Sequence, residues 1–376
     1  MGRTIEELIP EYIRGLPVYV PGRPIEEVER ELKIHAVKLA SNENPLGPSP
    51  KALEAMHKAL SESHRYPDGG TCVLRERLAK LRGVHEDEIF VGLGSSEIID
   101  LTSRLMLGPG LTGSTSEGSY APFSTAIRAS GANLKLVRQK DYTFDLRGMA
   151  EAITPTTRVI YVANPNNPTG TAIGKAELEE FLHTVPESVL IVVDEAYIHY
   201  AVRKDMPKTE DLYPKHKNLL VLRTFSKVFG LAGIRIGYAV GTPGLVAAMN
   251  KLRTPFNTSG VAQAAALAAM DDREHVDRCI ATNARERTRL SEGLAALGLR
   301  PVPSETNFIF MDVGPEAKQI CDELLRAGVI VRPLGWMGFP EAMRISVGTA
   351  EENDKCLRAL GPILAKRSRR GELAAR

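Results

Sequence analysis

The sequence predicts an α/β protein with a mostly parallel sheet covered by helices on both faces, followed by a smaller α+β domain. Three observations carry this. From about residue 88 to 240, apolar runs of strand length alternate with turn clusters and helical patterns, as parallel strands joined by crossover helices require. Those runs read as buried strands, the signature of a sheet covered on both faces. After residue 245 the pattern changes to long helices and a hairpin-like group of short strands. At 376 residues the chain suits two domains, or one large domain with an appendage. The division read from composition is an arm over 1–40, a large domain over 41–250 and a small domain over 251–376.

The arm carries one expected helix, where Ile25, Val28 and Leu32 recur at helical spacing, preceded by a stretch that Pro17, Pro21 and Pro24 keep extended. A polar turn cluster, SNENPLGPSP, occupies 41–50. Helix 50–60, a sharp turn at 64–70 and helix 71–83 follow. Residues 88–107 read as strand, Gly-rich turn and helix, with Gly92 and Gly94 in the turn and Ser95, Ser96 and Glu97 opening the helix. The free N–H groups of such a helix start can hold an anion. Glu97 stands where a dinucleotide fingerprint needs its third glycine. Residues 111–119, LTGSTSEGS, are small and polar with little β propensity. Tyr120 follows them, then helix 121–131 and a short strand near 134–137.

Arg158 to Ala163 reads as a buried strand ending in the sharp turn Asn164-Pro165-Asn166-Asn167-Pro168-Thr169-Gly170. Helix 175–184 comes next. The run at 188–193 ends in Asp194-Glu195, with Tyr197 just beyond; a carboxylate at the carboxyl end of a buried strand lies where open α/β sheets bind ligands. The plain alternative is a cap on the following helix. Leu219 to Leu222 and Ile234 to Val240 read as two further strands, with Arg235 just inside the second. Thr224, Ser226, Lys227, Gly230 and Gly233 lie between them. A partly desolvated lysine beside a cation loses proton affinity and becomes a usable nucleophile. Ser226 and Arg235 supply donors suited to a phosphate. The small domain is read as helices 244–253, 258–270 and 272–297, strands near 307–313, 329–334 and 343–348, and helices 315–327 and 350–365. Arg332 and Arg344 stand in its strand segments, where arginines facing a cleft recognise anions and arginines facing solvent do not.

Composition narrows the function classes. Hydrophobic residues make up 43%, charged residues 25%, and the net charge is +2, which argues against nucleic acid as a partner. No apolar run reaches membrane-spanning length and the N-terminus lacks a signal core, so neither a membrane partner nor export is expected. The four cysteines are far apart and read as free thiols of a reducing cytoplasm. No histidine or cysteine spacing points to a metal. The basic tail after residue 366 is read as a solvated end.

A lysine, a phosphate cradle, a strand-end aspartate, a tyrosine three residues on and an amide turn are the set that pyridoxal phosphate needs. In the segments SNENPLG (41–47), RYPDG (65–69), PNNPTG (165–170), DEAY (194–197), TFSKVFGLAGIRIGY (224–238), SETNFI (304–309) and RISVGT (344–349) the chain resembles the fold-type I, class II aminotransferases, most closely their histidinol-phosphate branch. The resemblance implies a fold-type I pyridoxal 5'-phosphate-dependent transferase. It would move an amino group between L-histidinol phosphate and 2-oxoglutarate or glutamate. Aromatic amino acid transamination and phosphoamino-acid decarboxylation are the alternatives on that scaffold. It further implies that Lys227 is the Schiff-base lysine, that Asp194 pairs with the pyridine nitrogen, and that Tyr197 and Asn167 bond the cofactor's phenolic oxygen. Tyr120 would stack on the ring. Ser95, Ser96, Thr224, Ser226 and Arg235 would hold the phosphate end. Arg344, assisted by Arg332 and Tyr19, would bind the substrate anion. Tyr66 would reach the partner's cofactor in a homodimer, with the arm packed on the small domain and the partner. The polar 111–119 stretch departs from the apolar strand usual for that family.

Overall fold

The structure is a computed structural model that describes residues 4–18 and 22–369. Its strands, in chain order, are β1 (Val37–Lys38), β2 (Ile89–Gly92), β3 (Thr112–Ser116), β4 (Asn133–Val137), β5 (Thr157–Ala163), β6 (Leu190–Asp194) and β7 (Leu219–Thr224). There follow β8 (Gly237–Val240), β9 (Arg300–Pro301), β10 (Phe308–Asp312), β11 (Val329–Ile330), β12 (Arg332–Pro333) and β13 (Ala342–Ser346). The large sheet has the order β2-β8-β7-β6-β5-β3-β4. Among the described residues β8 alone runs antiparallel to its neighbours in it. Val159–Val162, Ile191–Val193 and Leu219–Leu222 are buried on both faces, which explains their continuous apolar reading.

A second, four-stranded antiparallel sheet has the order β12-β13-β10-β9. Leu290, Leu294, Ile309, Met311, Ile320, Leu324 and Ile345 pack its separate core. β1 pairs in parallel with β11, and Val28, Ala36 and Ala40 pack on Ile330. Helix Gly260–Met270 turns Ala262, Ala265, Ala266 and Ala269 into the larger core, against the helix Pro50–Leu60. Alanines let two helix backbones approach closely, so this contact is dense.

Several elements differ from the sequence reading. The last helix, read as 350–365 with a solvated basic end, runs Ala350–Arg369, and Arg367 is buried and paired with Glu316 and Glu323. The strand read as 329–334 is two, β11 and β12, in different sheets. Residues 112–116 form an interior strand despite their polarity, paired with β4 on one side and β5 on the other. Small side chains suit this place: a Cβ on Gly113 would stand 2.7 Å from Ile127. The Thr115 hydroxyl donates to the Tyr161 carbonyl (3.1 Å) and Ser116 to that of Val137 (3.0 Å). Tertiary packing thus overrides low intrinsic β propensity. Arg235 does not lie inside a strand. Residues Ala232–Ile234 make a 3-10 turn, Arg235 takes a left-handed φ of 58°, and β8 begins at Gly237. The arm holds short helices at Ile5–Leu8 and Glu11–Arg14 besides the expected one, observed at Ile25–Leu32.

Among the described residues no helix is long and apolar enough to cross a membrane, and no cluster of His, Cys, Asp and Glu could hold a metal.

Candidate active site

Parallel strands bring their carboxyl ends to one edge of the sheet, and a cavity of about 450 Å³ opens there. Every described site residue expected from the sequence lines it except Tyr66. Tyr66 lies outside, 83% exposed and stacked on Phe256 with ring centroids 4.7 Å apart. Tyr19 lies outside the described residues.

One end of the cavity is built to hold an anion. Gly94, at φ 76°, turns β2 into the helix Ser95–Met106, whose first N–H groups have no carbonyl partner within the helix. A Cβ on Gly94 would stand 2.9 Å from Arg235 Nη2, so only glycine leaves the guanidinium its place. Arg235 Nη1 donates to the Ala232 carbonyl (3.1 Å) and lies 3.5 Å from Ser226 Oγ. Its Nη2 donates to the Leu93 carbonyl (3.3 Å). Thr224 Oγ1 donates to Ser226 Oγ (3.0 Å) and accepts from the Ser226 backbone N–H (3.1 Å), fixing the hydroxyl beside the arginine. A helix N-terminus, two serines and an immobilised guanidinium form one convergent donor set.

The middle of the cavity holds the titrating groups. Lys227 Nζ donates to the Asn42 carbonyl (3.3 Å) and lies 5.4 Å from the centre of the Tyr197 ring. Withdrawal from water, then the positive charge of Arg344 and to a lesser degree Arg235, lower its pKa to about 8 against the opposing pull of Glu43 and Asp194. Asp194, 4% exposed at the end of β6, accepts from the Ala196 N–H at 3.0 Å. Burial pushes its carboxyl up to about 7; the charge of Glu195 adds to this, while the Ala196 N–H and Lys227 oppose it. Behind it the buried Glu195 pairs with the Arg223 guanidinium and accepts from Thr209 Oγ1 (3.0 Å). Tyr197 Oη accepts from Asn42 Nδ2 (3.1 Å), and its ring meets Phe308 edge-on at 5.2 Å. Tyr120 Oη lies 3.1 Å from Ser96 Oγ, its ring packs edge-on against Phe123 at 5.5 Å, and burial pushes the phenol up to about 12.

The small domain supplies the far wall. Arg332 and Arg344 are direct partners in the register of β12 and β13, and both are buried. Arg344 donates to Asn167 Oδ1 and to the Ala40 carbonyl (2.8 Å), and lies over Phe308 at 5.1 Å. The Arg332 guanidinium lies over the Trp336 ring, 4.8 Å from its centre.

Sequence reasoning missed a hub. Asn42, at φ 55°, bonds Lys227 and Asn307 through its carbonyl and Tyr197 through its amide. It also exchanges bonds with Ser346 through its backbone N–H (2.8 Å) and its Oδ1 (3.0 Å). The available signal was an asparagine in a turn motif, the residue type that best tolerates positive φ after glycine. Trp336, the one tryptophan of the chain, was also passed over.

The sequence profile of the family Aminotransferase class I and II matches residues 34–360. The chain is 46% identical over 357 residues to histidinol-phosphate aminotransferase 2 of Pseudomonas fluorescens, covering 94% of this chain and 96% of that protein. It is 45% identical over 363 residues to the histidinol-phosphate aminotransferase of Anaeromyxobacter sp., covering 95% and 99%. Among solved structures it is similar to histidinol-phosphate aminotransferase from Sinorhizobium meliloti in complex with pyridoxal-5'-phosphate. The TM-score is 0.89 at 32% identity, over 96% of this chain and 98% of that one. It is also similar to aspartate aminotransferase from Thermus thermophilus with maleate, with a TM-score of 0.81 at 26% identity, over 94% and 99%.

Proposed function

This chain belongs to the class I and II aminotransferase family, and on that premise we propose that it transfers the amino group of L-histidinol phosphate to 2-oxoglutarate with pyridoxal 5'-phosphate as cofactor. The residues present fit that group. Ser95, Ser96, Thr224, Ser226 and Arg235 would hold its phosphate, Asp194 its ring nitrogen, Asn167 and Tyr197 its phenolic oxygen, and Tyr120 would stack on its ring. The glycine that Arg235 requires at position 94 supports the phosphate end. The carboxyl of Asp194, pushed up to about 7 by burial, supports the nitrogen end, since a nearby cationic N–H would relieve the cost of its charge. Bound, the cofactor supplies an aldehyde and a pyridinium electron sink.

The rest is the work of this chain's own side chains. Lys227, with a pKa lowered to about 8, is partly neutral near physiological pH. Its amine can therefore take a proton from the donor's Cα and return it. Asn42 and Tyr197 hold it in place. Arg344 anchors the substrate anion, bonded in turn to Asn167 and Ala40 so that its fork keeps one orientation.

The observation that carries the choice of donor is the pair of buried guanidiniums, Arg332 and Arg344, facing each other across two paired strands of the cavity wall. A single carboxylate needs one such fork; a dianionic phosphate monoester is served by two cations. The test is kcat/KM for L-histidinol phosphate, phenylalanine and tyrosine, each with 2-oxoglutarate. Histidinol phosphate should lead by at least tenfold. A lead for phenylalanine would transfer the protein to the aromatic aminotransferases.

The same reading makes the enzyme a cytoplasmic homodimer in three working parts. The arm over 1–40 packs with the small domain, supported by the β1–β11 pairing. The large domain, 41–250, carries the cofactor and the small domain, 251–376, the substrate anion. The alanines of 262–269, within the range read as the small domain, pack in the core of the large sheet. Tyr66 is the residue contributed to the partner's site, supported by its exposure and its distance from its own cavity.

A further inference from the structure

We propose that Trp336 is a positioning residue that sets donor specificity by holding Arg332 against the cavity wall through a cation–π contact; this rests on the phosphate-monoester reading above. Trp336 lies in the 3-10 turn Gly335–Met337, between β12 and β13. It borders both the cavity already described and a larger cleft of about 1350 Å³ that continues from it between helix Ala121–Ala129 and the small domain. Its ring is 49% exposed, an unusual state for the chain's single tryptophan, and the Arg332 guanidinium lies over it at 4.8 Å. The residue therefore stands where the first cavity meets the second.

Two physical facts make the stack matter. A guanidinium stacks through its face and hydrogen-bonds through its edge, so the contact with Trp336 does not compete with an anion for the same donors. An arginine otherwise carries large rotamer freedom, which binding would have to remove. Arg332 is already 9% exposed and lies over an aromatic ring, so its charge is placed before the substrate arrives. Arg344 is bonded to Asn167 and to Ala40 on the same wall. Trp336 therefore acts on the phosphate-bearing donor through Arg332 and leaves the carboxylate of glutamate to Arg344.

The turn is built to keep the ring in place. Gly338 closes it at φ 91°, and the next residue, Phe339, packs on Phe310 (5.1 Å) and Tyr142 (6.2 Å). Phe339 also fills the space beside Gly118, where a Cβ would stand 2.2 Å from its ring. The Trp336 turn is thus clamped between the two domains independently of Arg332.

The test uses the holoenzyme of wild type, Trp336→Leu, Trp336→Phe and Arg332→Ala. Trp336→Leu should lower kcat/KM for L-histidinol phosphate about tenfold, the order of a partly desolvated cation–π contact, chiefly through KM. The glutamate half-reaction should change less than about twofold, and Trp336→Phe should restore most of the loss. Because Trp336 is the only tryptophan, its emission reports on the site directly. Methyl phosphate should perturb the emission of wild type and leave that of Arg332→Ala unchanged at the same concentrations. Equal losses on both substrates would make Trp336 a merely structural residue and overturn the proposal, as would an unchanged KM or an emission change that survives Arg332→Ala. A wild-type preference for phenylalanine is a separate result that overturns the donor reading, and it is read on wild type before any variant is compared.

Discussion

Asp194 sits at the carboxyl end of β6 with its charge withdrawn from water and Glu195 beside it. Two consequences belong to this one residue. In the holoenzyme, Asp194→Asn should still allow cofactor to bind but slow single-turnover transamination tenfold to a hundredfold or more. An amide cannot keep a ring nitrogen protonated, and a charge-assisted hydrogen bond contributes roughly 1.5–3 kcal/mol. In the protein stripped of cofactor the sign reverses. The folded pKa of about 7 lies above the unfolded value of about 3.9, so ionisation is disfavoured in the folded state. Stability is then lost as pH rises from about 4 to about 7, and the cost is complete above that. Stripped Asp194→Asn should therefore melt higher than stripped wild type at about pH 8, with the difference shrinking toward about pH 4. Thermal melts across that window decide it; a difference independent of pH would mean that Asp194 is neutral for another reason.

At the scale of elements, the turn after β2 and the start of β8 show how short segments divide structural and binding duties. Gly94 and Gly237 are neighbours in space, yet substitution should act differently at each. A Cβ on Gly94 meets the tip of Arg235, a flexible side chain that can move away. Gly94→Ala should thus keep the fold, at about 1–3 kcal/mol of strain in a backbone region nearly confined to glycine, while weakening cofactor binding about tenfold as Arg235 is displaced. A Cβ on Gly237 would stand 2.9 Å from the Arg223 carbonyl and from Gly94 Cα, which are backbone atoms and cannot yield. Gly237→Ala should lose soluble folded protein. Equilibrium dialysis with cofactor and melting curves separate the two cases; equal effects would show that the two segments yield together. The strand β3 belongs to this scale too. Its hydroxyl-rich sequence carries no strand signal, and it forms because neighbours on both sides complete its ladder.

At the scale of the molecule, Tyr66 does not line the cavity of its own chain; it stacks on Phe256 and is 83% exposed. A two-fold dimer would place the same exposed surface of each chain against the other. Lys227→Ala and Tyr66→Ala should each be inactive alone. Co-expressed, they should recover about one quarter of wild-type activity, because half of randomly paired dimers are mixed and each mixed dimer holds one intact site. Full activity in a monomer, or no recovery in the mixture, would place Tyr66 elsewhere. The arm belongs to the same question, because β1 ties residues 37–38 to the small domain by parallel pairing with β11.

The sequence by itself determined the α/β class and most element positions, because the apolar strands β5, β6 and β7 are buried on both faces and write continuous apolar runs into the chain. It determined the residues of the cavity edge for a related reason. In a parallel sheet every strand ends at the same side, so Asn167, Asp194 and Thr224, each just at or past a strand end, had to converge. What only the tertiary structure decided is whatever depends on neighbours distant in sequence. The polar β3 is a strand because β4 and β5 flank it. Arg235 stands outside a strand because its side chain must reach back to Leu93 and Ser226. Asn42 is the hub of the site because Lys227, Tyr197, Asn307 and Ser346 meet it from far along the chain. Trp336 meets Arg332 because the pairing of β12 with β13 sets the turn between them, whose Phe339 packs on Phe310 and Tyr142. Periodicity records burial and turn chemistry, which are local; these four depend on long-range contacts, for which a single sequence carries no local pattern.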